Sequence, residues 1–132
     1  MKIKEFLKKL LYRILDLQPF LYRPPINIFK HKFEIHKTDV DIWPSYPHMH
    51  SLEDGLVLDI YTGEVYRKIT KACISEASEQ DMIKLWNDSK FLNVVLEMRK
   101  NKPINVKTLI PISIEWLNKE SLGRLKEYYD IY

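Results

Sequence analysis

Two of the four histidines in this chain lie two residues apart, in the segment WPSYPHMHS at positions 43 to 51. An imidazole with an ordinary pKa of about 6.5 takes up and releases protons at neutral pH, so a pair can share the base and acid roles of one reaction. His48 and His50 are therefore the residues that we predict to do chemistry. Pro44 and Pro47 cannot donate ladder hydrogen bonds, which predicts that the pair lies at the rim of a sheet.

A β-hairpin of residues 46 to 51 and 56 to 61 is predicted to position the pair. The Asp-Gly dipeptide at 54 and 55 is a turn signal, and a four-residue loop that ends there pairs Met49 with Leu58. The same count sets His48 opposite Asp59. The Met, Leu and Ile side chains of both strands then share one face, which supports this register because a slip by one residue would move them all. The other face receives His48, His50, Asp59, Tyr46 and Tyr61.

A second turn is predicted at YTGE, positions 61 to 64. A two-residue connection would place Val65 on the apolar face, with Tyr66 and Lys68 on the histidine face. Threonine tolerates positive φ poorly, so a three-residue loop with a bulge at Gly63 is the alternative. That loop would move Tyr66 and Arg67 by one face.

The chemistry that these residue types favour is metal-independent cleavage of RNA. One histidine would accept the proton of a ribose 2′-hydroxyl and the other would protonate the leaving 5′-oxygen, while Asp59 would fix one imidazole tautomer. Arg67 or Lys68 would stabilise the charge that builds on the phosphorus. The predicted catalytic residues are His48, His50, Asp59 and Arg67, and the predicted substrate-binding residues are Ser45, Tyr46, Tyr61, Tyr66 and Lys68.

Three other interpretations of the histidine pair remain open. A His-x-His strand sets two imidazoles on one face and could ligate a metal with Asp59 or Asp41, but no closed ligand set can be read, so neither a metal nor a cofactor is predicted. The histidines could also simply face solvent on an edge strand. The chain could instead be a non-catalytic interaction module, such as a complex subunit or an antitoxin-like partner, that docks through its basic N-terminal helix.

Charge is distributed unevenly along the 132 residues, which are expected to form a single domain. Positions 1 to 37 hold nine Lys or Arg against three acids, whereas the whole chain has a net charge of +3. RNA, an acidic protein or an anionic membrane surface would each be attracted to this end. A lone Cys73 excludes an intrachain disulfide, and charges interrupt every apolar run near the N-terminus, so we expect a cytoplasmic protein without a transmembrane segment.

The remaining elements predict an α+β fold. The spacing of residues 2 to 16 predicts a basic amphipathic helix, which packs on the core, lies on a membrane surface or docks onto a protein partner. The sheet region covers 29 to 70, where FKHKFEIHKTDVDIW is one bulged strand or two short ones. The C-terminal part, 78 to 130, is helical, with Ser78 as the cap of a helix at 79 to 89 and Asn118 or Ser121 as the cap of a last helix. FLNVVLEMRK fits either helix or strand, and INVKTLIPISI looks extended.

An N-terminal helix that leads into a small antiparallel sheet bearing His, Tyr and Arg resembles small bacterial ribonuclease toxins of the barnase and RelE type. The resemblance covers about residues 1 to 70 and is one of architecture and order of parts. It implies a toxin or defence ribonuclease that a companion protein neutralises. The helical C-terminal half is not part of that pattern.

Overall fold

The computed structural model describes residues 2–7, 22–36, 42–101, 111 and 113–131. Within these ranges six antiparallel strands form one sheet in chain order, and four α-helices accompany it, which confirms the predicted α+β class. The strands are β1 (Asn27–Ile28), β2 (His31–Glu34), β3 (Met49–Ser51), β4 (Leu56–Leu58), β5 (Glu64–Arg67) and β6 (Cys73–Glu76). The helices are α1 (residues 3–7), α2 (Glu79–Trp86), α3 (Ser89–Asn101) and α4 (Lys119–Ile131), with a 3-10 turn at Ile114–Trp116.

The central hairpin has the predicted register. Met49 pairs with Leu58 and His50 with Val57, so the count from the Asp-Gly turn is confirmed. Asp54 and Gly55 both have positive φ, 64° and 58°, as such a turn requires. The strands are shorter than predicted, because β3 begins at Met49 and β4 ends at Leu58.

The loop between β4 and β5 is longer than either predicted turn. β4 ends at Leu58 and β5 begins at Glu64, so five residues, 59 to 63, form the connection, and Leu58 pairs with Val65. The Asp59 carboxylate accepts hydrogen bonds from the backbone N–H groups of Tyr61 (2.9 Å) and Thr62 (3.4 Å) and so stabilises the wider turn. Because Val65 pairs with Leu58 and Tyr66 with Val57, Val65 still faces the core and Tyr66 the histidines.

The sheet begins earlier than predicted, in a hairpin of β1 and β2. Its two turn residues, Phe29 and Lys30, both have positive φ (51° and 61°), a conformation in which glycine or asparagine is usual. The ring of Phe29 stacks on His31, with centroids 5.9 Å apart, and its N–H approaches the Asp81 carboxylate of α2 at 3.4 Å. Tertiary contacts therefore accompany this turn, which the local sequence does not predict.

Helices α2, α3 and α4 share one core with the sheet face that carries the Met and Leu side chains. Trp86 of α2 is fully buried, and its indole N–H donates to the Ile60 carbonyl at 2.8 Å. The segment FLNVVLEMRK forms α3, and the buried side chains Phe91, Leu92, Val95 and Met98 recur at helical spacing. The Asp88 carboxylate accepts from the N–H groups of Lys90 and Phe91, so it caps this helix.

The predicted caps of the other two helices are confirmed. The Ser78 hydroxyl accepts from the Asp81 N–H at 3.2 Å at the start of α2. The Asn118 side chain, rather than Ser121, caps α4 by accepting the Ser121 N–H at 2.8 Å. α2 ends at Trp86, three residues before the predicted end, because α3 starts at Ser89.

The basic N-terminal segment is helical over residues 3–7, and the predicted helix beyond residue 7 lies outside the described residues. Its apolar side chains are exposed here: Ile3 by 77%, Phe6 by 56% and Leu7 by 54%. Most of INVKTLIPISI also lies outside the described residues. No helix in the described ranges is both long and apolar enough to cross a bilayer.

Candidate functional site

Three imidazoles form one cluster where β2 ends and β3 begins. The rings of His36 and His50 stack nearly parallel, with centroids 4.2 Å apart and an interplanar angle of 13°. His48 meets His50 edge to face, with centroids at 4.8 Å. The predicted pair is thus joined by a third histidine from the preceding strand region. We call these three residues the histidine cluster.

The cluster is on the sheet face opposite the helices. Glu34 pairs with His50, His50 with Val57, and Val57 with Tyr66, so these four side chains form one row across four strands. The core face carries Met49 and Leu58 instead, as predicted. His48 is only 2% exposed and His50 only 7%, so the interpretation that both simply face solvent is wrong.

The tautomer of His48 follows from its backbone partner. Its Nδ1 lies 2.7 Å from the carbonyl oxygen of Ser45, and because a carbonyl can only accept, Nδ1 must carry the proton. In the neutral ring, Nε2 is then the basic nitrogen. The segment WPSYP folds back on its own histidine to make this contact, so three residues of separation are sufficient to set the tautomer.

Asp59 acts on this arrangement through Ser45. We expected its carboxylate to hold an imidazole, and the hairpin register indeed brings Asp59 near. Its Oδ1 instead accepts the Ser45 hydroxyl at 3.1 Å, in addition to the turn N–H groups of Tyr61 and Thr62. Ser45 therefore connects Asp59 to His48 by its hydroxyl on one side and its carbonyl on the other, which makes Asp59 a positioning residue for His48.

Glu34 anchors the other side of the cluster. One carboxylate oxygen lies 3.1 Å from His36 Nε2, and the other accepts from Arg23 at 3.0 and 3.3 Å. Burial alone raises the pKa of Glu34, but the hydrogen bonds and charges of His36 and Arg23 outweigh it and hold the pKa below its ordinary value. The carboxylate is therefore ionised at neutral pH and joins His36 to Arg23.

Replacing Glu34 by glutamine tests this arrangement through stability. A carboxyl whose pKa is lower in the folded protein stabilises the fold above its ordinary pKa of about 4.5, and the contribution disappears as the pH falls through the folded value. We expect Glu34→Gln to lower the free energy of unfolding by about 2 kcal/mol at pH 7. Urea denaturation at pH 7 and near pH 3 should show the difference shrinking with acid. A difference independent of pH would contradict an ionic role.

Arg67 and Lys68 are not brought to the histidines. Arg67 pairs with Leu56, so by strand alternation it belongs to the opposite face of the sheet. The N–H of Lys68 donates to the Gly55 carbonyl, which puts both cations beside the central turn, at the end of the hairpin away from His48. The cation that contacts the site is Arg23 instead.

The predicted tyrosines separate into two groups. Tyr46 and Tyr61 are buried in the core rather than open on the histidine face, and the Tyr61 hydroxyl donates to the Tyr46 carbonyl at 2.9 Å. Strand alternation fails for them because Tyr46 precedes β3 and Tyr61 lies in the 59 to 63 loop. Tyr66 alone lies on the predicted face, where its ring meets Trp43 edge to face at 5.1 Å.

Metal ligation was the second interpretation of the histidine pair. Over the described ranges, no three His, Cys, Asp or Glu side chains are arranged to hold a metal ion. Ring stacking between His36 and His50 differs from ligation, in which imidazole nitrogens converge on one point.

Three residues at the site were missed by sequence reasoning: Arg23, Glu34 and His36. A signal for two of them was present, because Phe33 and Ile35 alternate with Glu34 and His36 just as Met49 alternates with His48 and His50. The sequence does not predict that Phe33 pairs with Ser51, because a long connection separates these strands. Arg23 has no comparable signal.

Comparison with known proteins adds no family to this geometry. The resemblance to ribonuclease toxins is one of architecture, and it has no counterpart among matched sequences or structures. The function has to be argued from the residues of the site. No protein-family model, no curated protein and no solved structure matches this chain.

Proposed function

We propose that the protein is a metal-independent ribonuclease, of the toxin or defence type, in which His48 is the general base and His50 the general acid. The observation that supports this most is the Ser45 contact, which leaves Nε2 of His48 basic, beside a second imidazole at 4.8 Å. Transesterification of RNA requires a general base and a general acid, and two histidines in contact, with one tautomer set, can supply both. No metal has a role in this reaction.

The reaction proceeds in one displacement. Nε2 of His48 takes the proton from a ribose 2′-hydroxyl, and the 2′-oxygen forms a bond to the adjacent phosphorus. The bond from phosphorus to the 5′-oxygen breaks, and that oxygen takes a proton from the imidazolium of His50. The products are a 2′,3′-cyclic phosphate and a free 5′-hydroxyl. Ionised Glu34 is the cross-strand neighbour of His50, so a negative charge lies on the face of the sheet that carries the acid.

The direct test compares the wild type with His48→Ala/His50→Ala on a single-stranded RNA in EDTA. We expect cleavage by the wild type to fall by roughly 10²-fold or more in the double variant. His31→Ala is the matched control, because His31 contacts Asp54 and Phe29 and is outside the histidine cluster. Equal cleavage by all three proteins, or none by the wild type, would contradict the proposal.

A second function, a non-catalytic module that binds an acidic protein, is favoured by two observations. Ile3, Phe6 and Leu7 are exposed on a helix within a strongly basic segment, and both His48 and His50 are buried as structural side chains are. Under this function, Phe6→Ser/Leu7→Ser should keep the melting temperature but release an acidic protein that co-purifies with the wild type. The double histidine variant should retain it. Retention by the helix variant would contradict this function.

A further inference from the structure

We propose that Trp43, Tyr66 and Lys71 form a subsite for one nucleotide of single-stranded RNA beside the histidine cluster. We call these three residues the aromatic subsite. The inference deepens the proposed ribonuclease function by naming the form of its substrate, and it rests on that function only for the cleavage step. Binding at the aromatic subsite can be measured without cleavage.

The chain itself connects the aromatic subsite to the site of chemistry. Trp43 belongs to the same segment as Ser45 and His48, two and five residues before them. Tyr66 lies on the histidine face of the sheet, in the row that contains His50. With neighbouring strands about 4.8 Å apart, two strand spacings put the backbones of Tyr66 and His50 about 10 Å apart.

The three side chains provide the two contacts that single-stranded nucleic acid needs. The rings of Trp43 and Tyr66 meet at 5.1 Å with an angle of 68°, and both are half-buried. The Lys71 ammonium lies 5.2 Å from the centroid of the Trp43 ring and is exposed. A base that stacks on Trp43 therefore brings its phosphate within reach of a cation. Aromatic stacking and a nearby charge together favour RNA over an uncharged ligand.

The surroundings fit an anionic ligand. Residues 65 to 75 include no Asp or Glu, and Lys71 of this stretch contacts the Trp43 ring. Glu64, which precedes this stretch, instead holds the Tyr66 hydroxyl. Burial, followed by the charge of Glu64 and its hydrogen bond, raises the pKa of Tyr66 to about 12, so its ring stays neutral across the physiological range.

Fluorescence with a 2′-O-methyl oligonucleotide tests the inference, because such a strand binds but lacks the hydroxyl that cleavage needs. Trp86 is fully buried and Trp116 is 7% exposed, so quenching on binding should report on Trp43. We expect Lys71→Gln to weaken binding several-fold and to reduce its salt dependence. Trp43→Leu should abolish the quenching and weaken binding roughly tenfold.

Lys30→Gln is the matched control, since Lys30 and Lys71 are both exposed lysines with positive φ, 61° and 60°. Because Lys71 is exposed, its variant should fold normally even if Trp43→Leu does not. Equal weakening by both lysine variants, or binding without quenching, would overturn the inference. Quenching that depends on Lys71 in a protein that leaves RNA intact would retain the subsite and reject the ribonuclease. Cleavage by the wild type together with unchanged binding by Lys71→Gln would retain the ribonuclease and reject the subsite.

Discussion

His48→Asn should lower the rate of RNA cleavage by roughly 10²-fold or more while the melting temperature stays close to that of the wild type. The asparagine side-chain N–H₂ can replace Nδ1 as donor to the Ser45 carbonyl, so the hydrogen bond is kept and only the basic Nε2 is lost. This substitution is sharper than alanine, because His48 is buried and a cavity would confuse loss of activity with loss of structure.

The pH dependence of cleavage should separate the two roles. With one imidazole as base and one as acid, the wild type should have a bell-shaped profile of kcat/KM. The residual activity of His48→Asn should no longer fall on the acidic side, and that of His50→Gln should no longer fall on the basic side. The measurement is the initial rate in EDTA across pH 4.5 to 9, and it must resolve roughly tenfold changes in rate. Unchanged profiles in both variants would remove the histidines from the mechanism.

Trp86→Ala should lower the free energy of unfolding by about 3 to 5 kcal/mol, the largest stability effect that we expect of any single substitution. The indole is fully buried, contacts Tyr61 and Phe91, and donates to the Ile60 carbonyl. Alanine would leave a cavity between α2 and the sheet and an acceptor without its donor. Urea denaturation monitored by circular dichroism is the measurement.

Trp86→Phe provides the matched control, because it keeps most of the ring volume and removes only the indole N–H. Its cost should be close to 1 to 2 kcal/mol, roughly that of one unmade buried hydrogen bond plus a small void. Equal losses for the two variants would mean that the hydrogen bond to Ile60 dominates and packing contributes little. A loss below about 1 kcal/mol for Trp86→Ala would contradict the position of Trp86 at the centre of the core.

The β4 to β5 loop contributes both to the stability of the fold and to the proposed chemistry. Asp59 stabilises this loop through the backbone of Tyr61 and Thr62, and it also holds the Ser45 hydroxyl. The Ile60 carbonyl, one residue away, is the acceptor for Trp86. The contact between Ser45 and His48, which sets the tautomer of His48, is therefore connected to the core by a few hydrogen bonds. Through these hydrogen bonds the helices behind the sheet can position His48.

Several parts of the fold follow from short sequence patterns. The central hairpin depends on one turn dipeptide and on alternation over a few residues, so its register was predictable from Asp54, Gly55 and the apolar positions around them. The caps at Ser78 and Asn118 are equally local, because a side-chain oxygen reaches an N–H group only two or three residues ahead. The histidine pair belongs to this class as well, since His48 and His50 lie two residues apart where β3 begins and their rings are in contact.

Tertiary structure decided the remaining features, which depend on distant residues. His36 and Glu34 reach His50 only because β2 pairs with β3 across a connection that no local pattern defines. FLNVVLEMRK became a helix because its apolar side chains pack on the core at helical spacing, although its composition fits a strand equally well. Tyr46 and Tyr61 were drawn into the core by the folding of segments outside the strands, where alternation no longer applies. Side-chain type and local spacing thus determine which groups are available for chemistry. Whether these groups meet depends on long-range strand pairing, because the whole chain must bury apolar side chains while it satisfies its backbone hydrogen bonds.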